Sequence, residues 1–550
     1  MEAKKVWCLD DCERRHESLP ERPRATPARR NGSIAVLDKF TRSLFKELIS
    51  GSLYCNMKAA RVVKSFINGK YVAPSSASAQ HFTLLNATTC KPETSFQAAD
   101  AKQVDEAVQG GRSGQQHWKR LSPAQRGEIM RKAADILTKQ TEEIANLETL
   151  DTGRPIAETT VTDILSATDC LNYYGGVAPS VGGQHLELTG GSWAYTKREP
   201  LGVTAGIGAW NYPLQSAAWK SAPALTFGNS MVFKPSEETP LSALKLAEAY
   251  MEAGVPEGVF NVVLGAGETG QALVEHPAIA KVSFTGSVGT GRNVYAGAAK
   301  DLKKVTMELG GKSPMIVFDD ADVEEAVSGA MMGNWYSSGQ VCSNGTRVFV
   351  QRSIFDKFVQ RVHERTLKLR IGDPLDPTTD IGPMIHEKHM KLVQSYIEKG
   401  VAEGATLLKG GGERFMPSEA TKDGFFLTPA IFVGCKDEMA IVREEIFGMV
   451  MCILPFDTEE EVLARANDTV FGLSAGVFTK DITRAHRLVG ELQAGTTWIN
   501  NYNLAPVETP WGGYKKSGLG RENGLAGIDS WTQLKSVYVE MNGVDCPYTK

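Results

Sequence analysis

A chain of 550 residues has room for two to four domains of about 100–200 residues, each with a large core. Hydrophobic residues at 42%, charged residues at 23% and a formal net charge of −4 fit an ordinary globular protein with no general attraction to nucleic acid or anionic membrane. The nine cysteines are scattered, with no CxxC pair and no Cys/His cluster at zinc spacing; this argues for a reducing compartment and no structural metal, and no apolar run approaches the roughly 20 residues of a membrane span.

Residues 1–57 are expected to be a disordered leader, because ERRHESLPERPRATPARRNG is rich in Arg and Pro and poor in core-forming residues. The following IAVLDKFTRSLFKELIS spaces apolar residues between Lys and Arg, as a mitochondrial presequence would, whereas Glu2, Asp10, Asp11, Glu13, Glu17 and Glu21 oppose that reading. A cytoplasmic protein is therefore the expectation, with Met57 as an internal start. From Val62 the pattern becomes globular: FINGKYV predicts a hairpin around Asn-Gly, and helical periodicity runs from about 101 to 151, interrupted at Pro123.

Strand-like and helix-like segments then alternate. GVTAGIGAW, SMVFKPS, VFNVVLG and AKVSFTGS have the strand pattern, with LQSAAWKSAPALTFG, LSALKLAEAYMEAG and ETGQALVEH as helices between them. Such alternation predicts parallel βαβ units, hence an α/β protein. A second series starts after KKVTMELGGKSPMIVF. Its helix VEEAVSGAMMGNWYSS is expected to start at an Asp322/Glu325 capping box and to end near Gly339, just before the loop that holds Cys342.

Taken singly, Cys342 in GQVCSNGTR is a small packed residue, Glu308 in ELGGKSP a solvated strand-end carboxylate and Asn211 in AWNYP a turn cap. Glu308, Asn211 and the glycine-rich FTGSVGTG turn stand at the carboxyl ends of predicted strands, where open α/β sheets form ligand sites, and this changes that reading. Together GQVCSNGTR, ELGGKSP, AWNYP, VFKPSEETP, FTGSVGTG and EEIFG resemble the NAD(P)-dependent aldehyde dehydrogenase superfamily, in the same order along the chain and at similar separations, from about residue 65 to 540.

The resemblance implies a doubly wound NAD-binding domain over 58–310 with an oligomerisation hairpin at about 182–200. It further implies an α/β catalytic domain over 311–483, and a return to the NAD domain with a C-terminal oligomerisation tail over 484–550. A homotetramer built as a dimer of dimers follows from the same likeness. Cys342 would be the nucleophile, Asn211 with the Cys342 N–H the oxyanion donors, at about 3 kcal/mol each, and Glu308 the general base. A CoA-acylating enzyme of this fold would lack that glutamate, and a non-catalytic protein would have lost one of the three.

NAD is the expected cofactor. Lys234 and Glu237 would reach the adenine ribose, and Gly286, Ser287, Val288, Gly289, Thr290 and Gly291 would receive the pyrophosphate at a helix start, with Gly291 permitting close approach. Glu445 and Phe447 would hold the nicotinamide ribose and ring, with Met449 where the family usually has Pro. Trp210 and Lys220 match positions lining the site and its proton path.

Tyr212, Trp219 and Trp511 match the aromatic box of the betaine-aldehyde and aminoaldehyde group, and Tyr336 stands where some members carry Trp. Ring faces contribute about 0.5–2 kcal/mol each to a desolvated cation. The expected substrate is therefore a cationic aldehyde, 4-trimethylaminobutyraldehyde of carnitine synthesis first, with aminoaldehydes also accepted and betaine aldehyde the nearest competitor. Aromatic linings also suit plain aliphatic aldehydes, which keeps a broad aliphatic aldehyde dehydrogenase open.

Overall fold

The computed structural model describes residues 61–74 and 79–548, so the expectations for residues 1–57 lie outside the described residues. The Asn-Gly hairpin forms as expected. Ser65–Ile67 and Lys70–Val72 pair antiparallel, and Asn68 and Gly69 take φ of 52° and 76°, the left-handed pair that a tight hairpin turn needs. The long helical stretch resolves into Ala101–Trp118, Pro123–Lys139 and Thr141–Thr152. Pro123 occupies the first helical position, where its missing N–H costs nothing, and Ser122 and Gln125 cap that helix reciprocally.

Five strands lie side by side and parallel in the order Lys304–Leu309, Ile279–Gly286, Val203–Ile207, Ser230–Lys234 and Phe260–Val262. Numbered along the chain they run 5-4-1-2-3, the doubly wound arrangement, and the order reverses between Val203–Ile207 and Ile279–Gly286. Gly518–Leu519 and the Ser65–Ile67 hairpin complete eight strands. Every residue of Val203–Ile207 and Ser230–Lys234 is buried, as a parallel sheet covered on both faces demands.

The chain crosses to a second sheet at Gly310–Ser313. Pro314–Val317 and Arg347–Gln351 lie at its centre, flanked by Ser474–Phe478 and Thr496–Ile499 on one side and by Val450–Phe456, Ala430–Val433 and Thr406–Leu407 on the other. Because Thr496–Ile499 pairs with Ser474–Phe478, this sheet continues past residue 483, and the chain re-enters the eight-stranded sheet only at Gly518–Leu519.

The segment expected as a hairpin near 182–200 is a three-stranded antiparallel sheet. His185–Glu187 pairs with Trp193–Pro200, which in turn pairs residue for residue with Thr532–Val539. Among the described residues no helix is long and apolar enough to cross a membrane, and no cluster of three or more His, Cys, Asp or Glu could hold a metal ion.

Candidate active site

The reversal in strand order opens a crevice at the carboxyl ends of Val203–Ile207 and Ile279–Gly286, and the site is built there. After Ile207 the chain makes a close turn. A methyl group on Gly208 would lie 2.6 Å from the Phe233 ring and 2.7 Å from Ser216 Oγ, so only glycine fits. Trp210, Asn211 and Tyr212 then lead into the helix Pro213–Thr226. Asn211 is buried, and its side-chain Nδ2 donates to the Gln340 carbonyl at 2.9 Å, tying this turn to the loop that carries Cys342.

That loop departs from expectation. The helix that Asp322 caps, Val323–Trp335, stops at Trp335, and Tyr336–Gly339 follows as a distorted turn with Ser337 and Ser338 at φ of 52° and 53°. Such a conformation costs about 1–3 kcal/mol per non-glycine residue and persists only where its surroundings enforce it. Here the Glu158 carboxylate accepts from the Ser337 N–H at 3.1 Å and from its hydroxyl at 3.1 Å. Gly339, at φ 75°, lies against the Gly448–Met449 backbone, where a methyl group would approach to 2.4 Å. Beyond Cys342, Ser474 Oγ and Tyr502 Oη both donate to the Ser343 carbonyl. The thiol is thus presented by a loop anchored on several sides.

Cys342, Glu308 and Asn211 line one cavity of about 1080 Å³. Burial pushes the Cys342 thiol up to about 12, with the Glu445 and Glu308 charges adding to it, while the N–H groups of Cys342 itself and Ser343 favour the thiolate. Burial, with the charge of Glu522, holds Glu308 well above the usual carboxylate range, against the pull of Lys220 and Arg521. Neither Glu308 oxygen has a hydrogen-bond partner among the described residues. A buried carboxyl group left free in this way is a group awaiting a ligand or a proton. Behind it, Lys220 Nζ meets Glu522 at 2.7 Å and Thr285 Oγ1 at 2.6 Å, and Ser283 Oγ donates to Glu522 at 2.9 Å.

The same cavity wall includes Trp210, Lys234, Glu237, Gly286, Ser287, Thr290, Glu445 and Phe447. Lys234 is held by the carbonyls of Pro235 and Gly265, both at 2.7 Å, with Glu237 at 3.5 Å. Ser287 caps the helix Val288–Ala299 by accepting from the Thr290 N–H at 3.2 Å. Val288, Gly289 and Gly291 stand outside the wall. Gly291 is glycine because a methyl group would lie 2.6 Å from Leu309, which makes its need one of helix-to-sheet packing. The Gly311 N–H donates to Glu445 at 3.3 Å; burial lifts this carboxyl to about 7, which that bond and Lys312 resist.

Sequence reasoning missed His389. Its Nε2 bonds the Phe447 carbonyl at 2.7 Å and its ring lies 5.5 Å from Trp210, itself edge-on to Phe447 at 5.1 Å. Phe447 has φ 60°, and this imidazole helps hold it there. Only the fold brings His389 to EEIFG, so no local sequence signal could have pointed to it.

The four aromatic residues expected to meet the substrate are not part of this wall. Trp219 and Trp511 meet edge to face at 6.1 Å, and Trp219 Nε1 donates to Ser166 at 2.9 Å. Tyr212 Oη shares a hydrogen bond with Ser337 at 2.7 Å, Tyr336 bonds Thr162, and the Arg154 guanidinium lies 4.1 Å over the Tyr212 ring. One face of Tyr212 is therefore already taken by a cation of the protein itself.

This fold, with a cysteine, a carboxyl group and an amide facing one dinucleotide-sized cavity, is that of an aldehyde oxidoreductase. Residues 72–537 match the aldehyde dehydrogenase family, and the chain belongs to it. It is 54% identical over 492 residues to the betaine aldehyde dehydrogenase of Brucella anthropi, covering 90% of this chain and all of that one. It is equally 54% identical over 493 residues to that of Mesorhizobium japonicum, with the same coverage. Among solved structures, the betaine aldehyde dehydrogenase of Staphylococcus aureus in complex with NAD+ is 37% identical with a TM-score of 0.85, covering 88% of this chain and 97% of that one. The NAD+ complex of an aldehyde dehydrogenase from Bacillus cereus is 41% identical, also at 0.85 and with the same coverage.

Proposed function

We propose that this enzyme oxidises betaine aldehyde to the corresponding acid with NAD. The single observation behind the chemistry is that Cys342, Glu308 and Asn211, distant in sequence, face one cavity. The cofactor assignment is supported by the cavity's fit: it runs from Lys234 and Glu237 through the start of the helix Val288–Ala299 to Glu445, Phe447 and Cys342, with volume for a dinucleotide. NAD, when bound, accepts the hydride.

Cys342 Sγ, once deprotonated, bonds to the aldehyde carbon, and the resulting oxyanion takes hydrogen bonds from the Asn211 amide and the Cys342 N–H. Loss of hydride from that carbon leaves a thioester on Cys342. Ionised Glu308 then removes a proton from water, whose oxygen attacks the thioester and releases the acid with the thiol restored. Burial raises both groups and disfavours their charged forms, so a proton must leave Cys342 before attack; the Lys220–Glu522 pair, whose Lys220 charge acts on Glu308, offers a polar route for it.

For the substrate, the relatives' names favour betaine aldehyde over the 4-trimethylaminobutyraldehyde expected from the sequence. A cationic group is thus part of the proposal on the relatives' names, with Trp219 and Trp511 packed edge to face outside the cavity wall. Leu186, Tyr195, Leu534 and Tyr538 are exposed on the three-stranded sheet, which supports a homotetramer assembled through that arm. The test is the ratio of kcat/KM across betaine aldehyde, 4-trimethylaminobutyraldehyde, 4-aminobutyraldehyde and hexanal with NAD. Betaine aldehyde is expected to lead, by at least tenfold over hexanal; a lead for hexanal would end the cationic-substrate reading.

A further inference from the structure

Two turns must be in register for the proposed chemistry, the one carrying Asn211 and the one carrying Cys342, and they belong to different sheets. A buried cation joins them. The side chain of Arg154 is 1% exposed. Its Nη1 donates to the Asn211 carbonyl at 3.2 Å, and its guanidinium stacks on Tyr212 at 4.1 Å. Nη1 also donates to Asp163 Oδ1 at 2.9 Å, and Nη2 stands 2.9 Å from Oδ2 as an ion pair, the Asp163 side chain being 0% exposed. On its other side Glu158 stands 3.7 Å away, and the same Glu158 oxygen accepts from the Ser337 N–H and hydroxyl. Tyr212 Oη and Ser337 Oγ close the ring at 2.7 Å.

This loop of contacts is an expensive way to fill space. Buried ion pairs often add little net stability, since desolvation offsets the attraction, and apolar residues of the same volume commonly stabilise a fold as well or better. What a planar five-donor fork supplies is direction: it fixes a carbonyl, a ring face and two carboxylates at set angles to one another. The partners here are the backbone of Asn211 and, through Glu158, the strained Ser337. The Asn211 side chain completes the link by donating to Gln340, two residues before Cys342. The contacts to Asn211, Tyr212 and Glu158 therefore end on groups that set the oxyanion amide against the thiol, while the ion pair with Asp163 anchors the guanidinium.

We infer that Arg154, with Glu158, is a positioning residue that holds the Asn211 amide in register with the Cys342 loop, so that the oxyanion donors are fixed before the aldehyde carbonyl is attacked. Arg154 touches neither substrate nor cofactor; it acts through Asn211. The inference rests on the proposed roles of Asn211 and Cys342.

The test is a double-mutant cycle read in a single turnover of NADH formation, enzyme in excess over aldehyde and NAD saturating. Arg154→Met in the otherwise native chain is expected to slow that turnover about 10- to 100-fold, part of the 10²–10³-fold that loss of one oxyanion donor costs, with NADH affinity and aldehyde KM staying within about threefold. In an Asn211→Ala background the same change should cost less than about threefold, because the group that Arg154 orients is gone. Equal slowing in both backgrounds would mean a merely structural role and overturn the inference, as would a native rate in Arg154→Met. If Asn211→Ala alone leaves the turnover unchanged, it is the catalytic reading that fails. Should Arg154→Met not fold, Glu158→Gln takes its place, since it keeps an oxygen for Ser337 but breaks the charged tie to Arg154. Slowing that shrinks in the Asn211→Ala background then supports the inference, and equal slowing in both backgrounds overturns it.

Discussion

Gly310 offers the sharpest test of how closely the cofactor end of the cavity is built. It lies at the crossing between the two sheets, and a methyl group placed on its Cα falls 1.9 and 2.1 Å from the two carboxylate oxygens of Glu445. Ordinary contact requires that carboxylate to withdraw by at least about 1 Å. Glu445 is held by the Gly311 N–H at 3.3 Å, already a long hydrogen bond, and a further shift of about 1 Å removes it. A hydrogen bond to a charged group contributes about 1.5–3 kcal/mol, and the contact proposed between Glu445 and the nicotinamide ribose is of the same kind. Gly310→Ala is therefore expected to weaken NAD binding about 10- to 100-fold, at about 1.4 kcal/mol per factor of ten. NADH fluorescence titration measures this directly, with Gly490→Ala as the control, since a methyl group there meets nothing within 4 Å. An affinity within twofold of the parent would refute both the clash and the assignment of Glu445 to the cofactor.

Two further outcomes follow from buried charge. Lys220→Met should cost about 3–5 kcal/mol of stability because it strands Glu522, 3% exposed, without its cation; the double change Lys220→Met/Glu522→Gln should recover much of that in denaturant midpoint, and no recovery would mean the pair is not what the loss reports. For pH, burial lifts Glu445 to about 7, and ribose hydroxyls donate better to the ionised carboxylate. NAD affinity should therefore rise as pH increases through about 7 and level off above it, and Glu445→Gln should flatten the profile; an affinity that falls over the same range would have the wrong sign.

Much of the fold was legible in the sequence because parallel sheets write themselves as apolar runs. GVTAGIG and SMVFK have no polar face to hide and became fully buried central strands. The Asn-Gly hairpin and the proline at the start of Pro123–Lys139 were legible for local reasons, since each residue has few backbone choices. The boundary at residue 483 was not, because whether Thr496–Ile499 pairs with the second sheet or returns to the first depends on a partner more than twenty residues away. Periodicity likewise carried the helix on to Gly339, whereas Glu158, from another helix, pulls Ser337 out of helical geometry.

The residue types needed for the proposed chemistry, a thiol in a loop with a carboxylate and an amide at strand ends, are determined by the sequence alone, as is the glycine-rich start of the helix that lines the cavity. Their protonation and alignment are tertiary facts. A thiol lifted to about 12 and a carboxyl group raised well above its usual range come from burial, reinforced by Glu445 and Glu522, charges that lie near Cys342 and Glu308 only once two sheets have closed on one crevice. The register of Asn211 with the Cys342 loop is set by Arg154, a residue that in ETLDTGRPIAET looks like any helix-end cation. Composition fixes which groups can react; in this chain, only the burial of a few charges between elements far apart in sequence decides in what state, and at what angle, they meet.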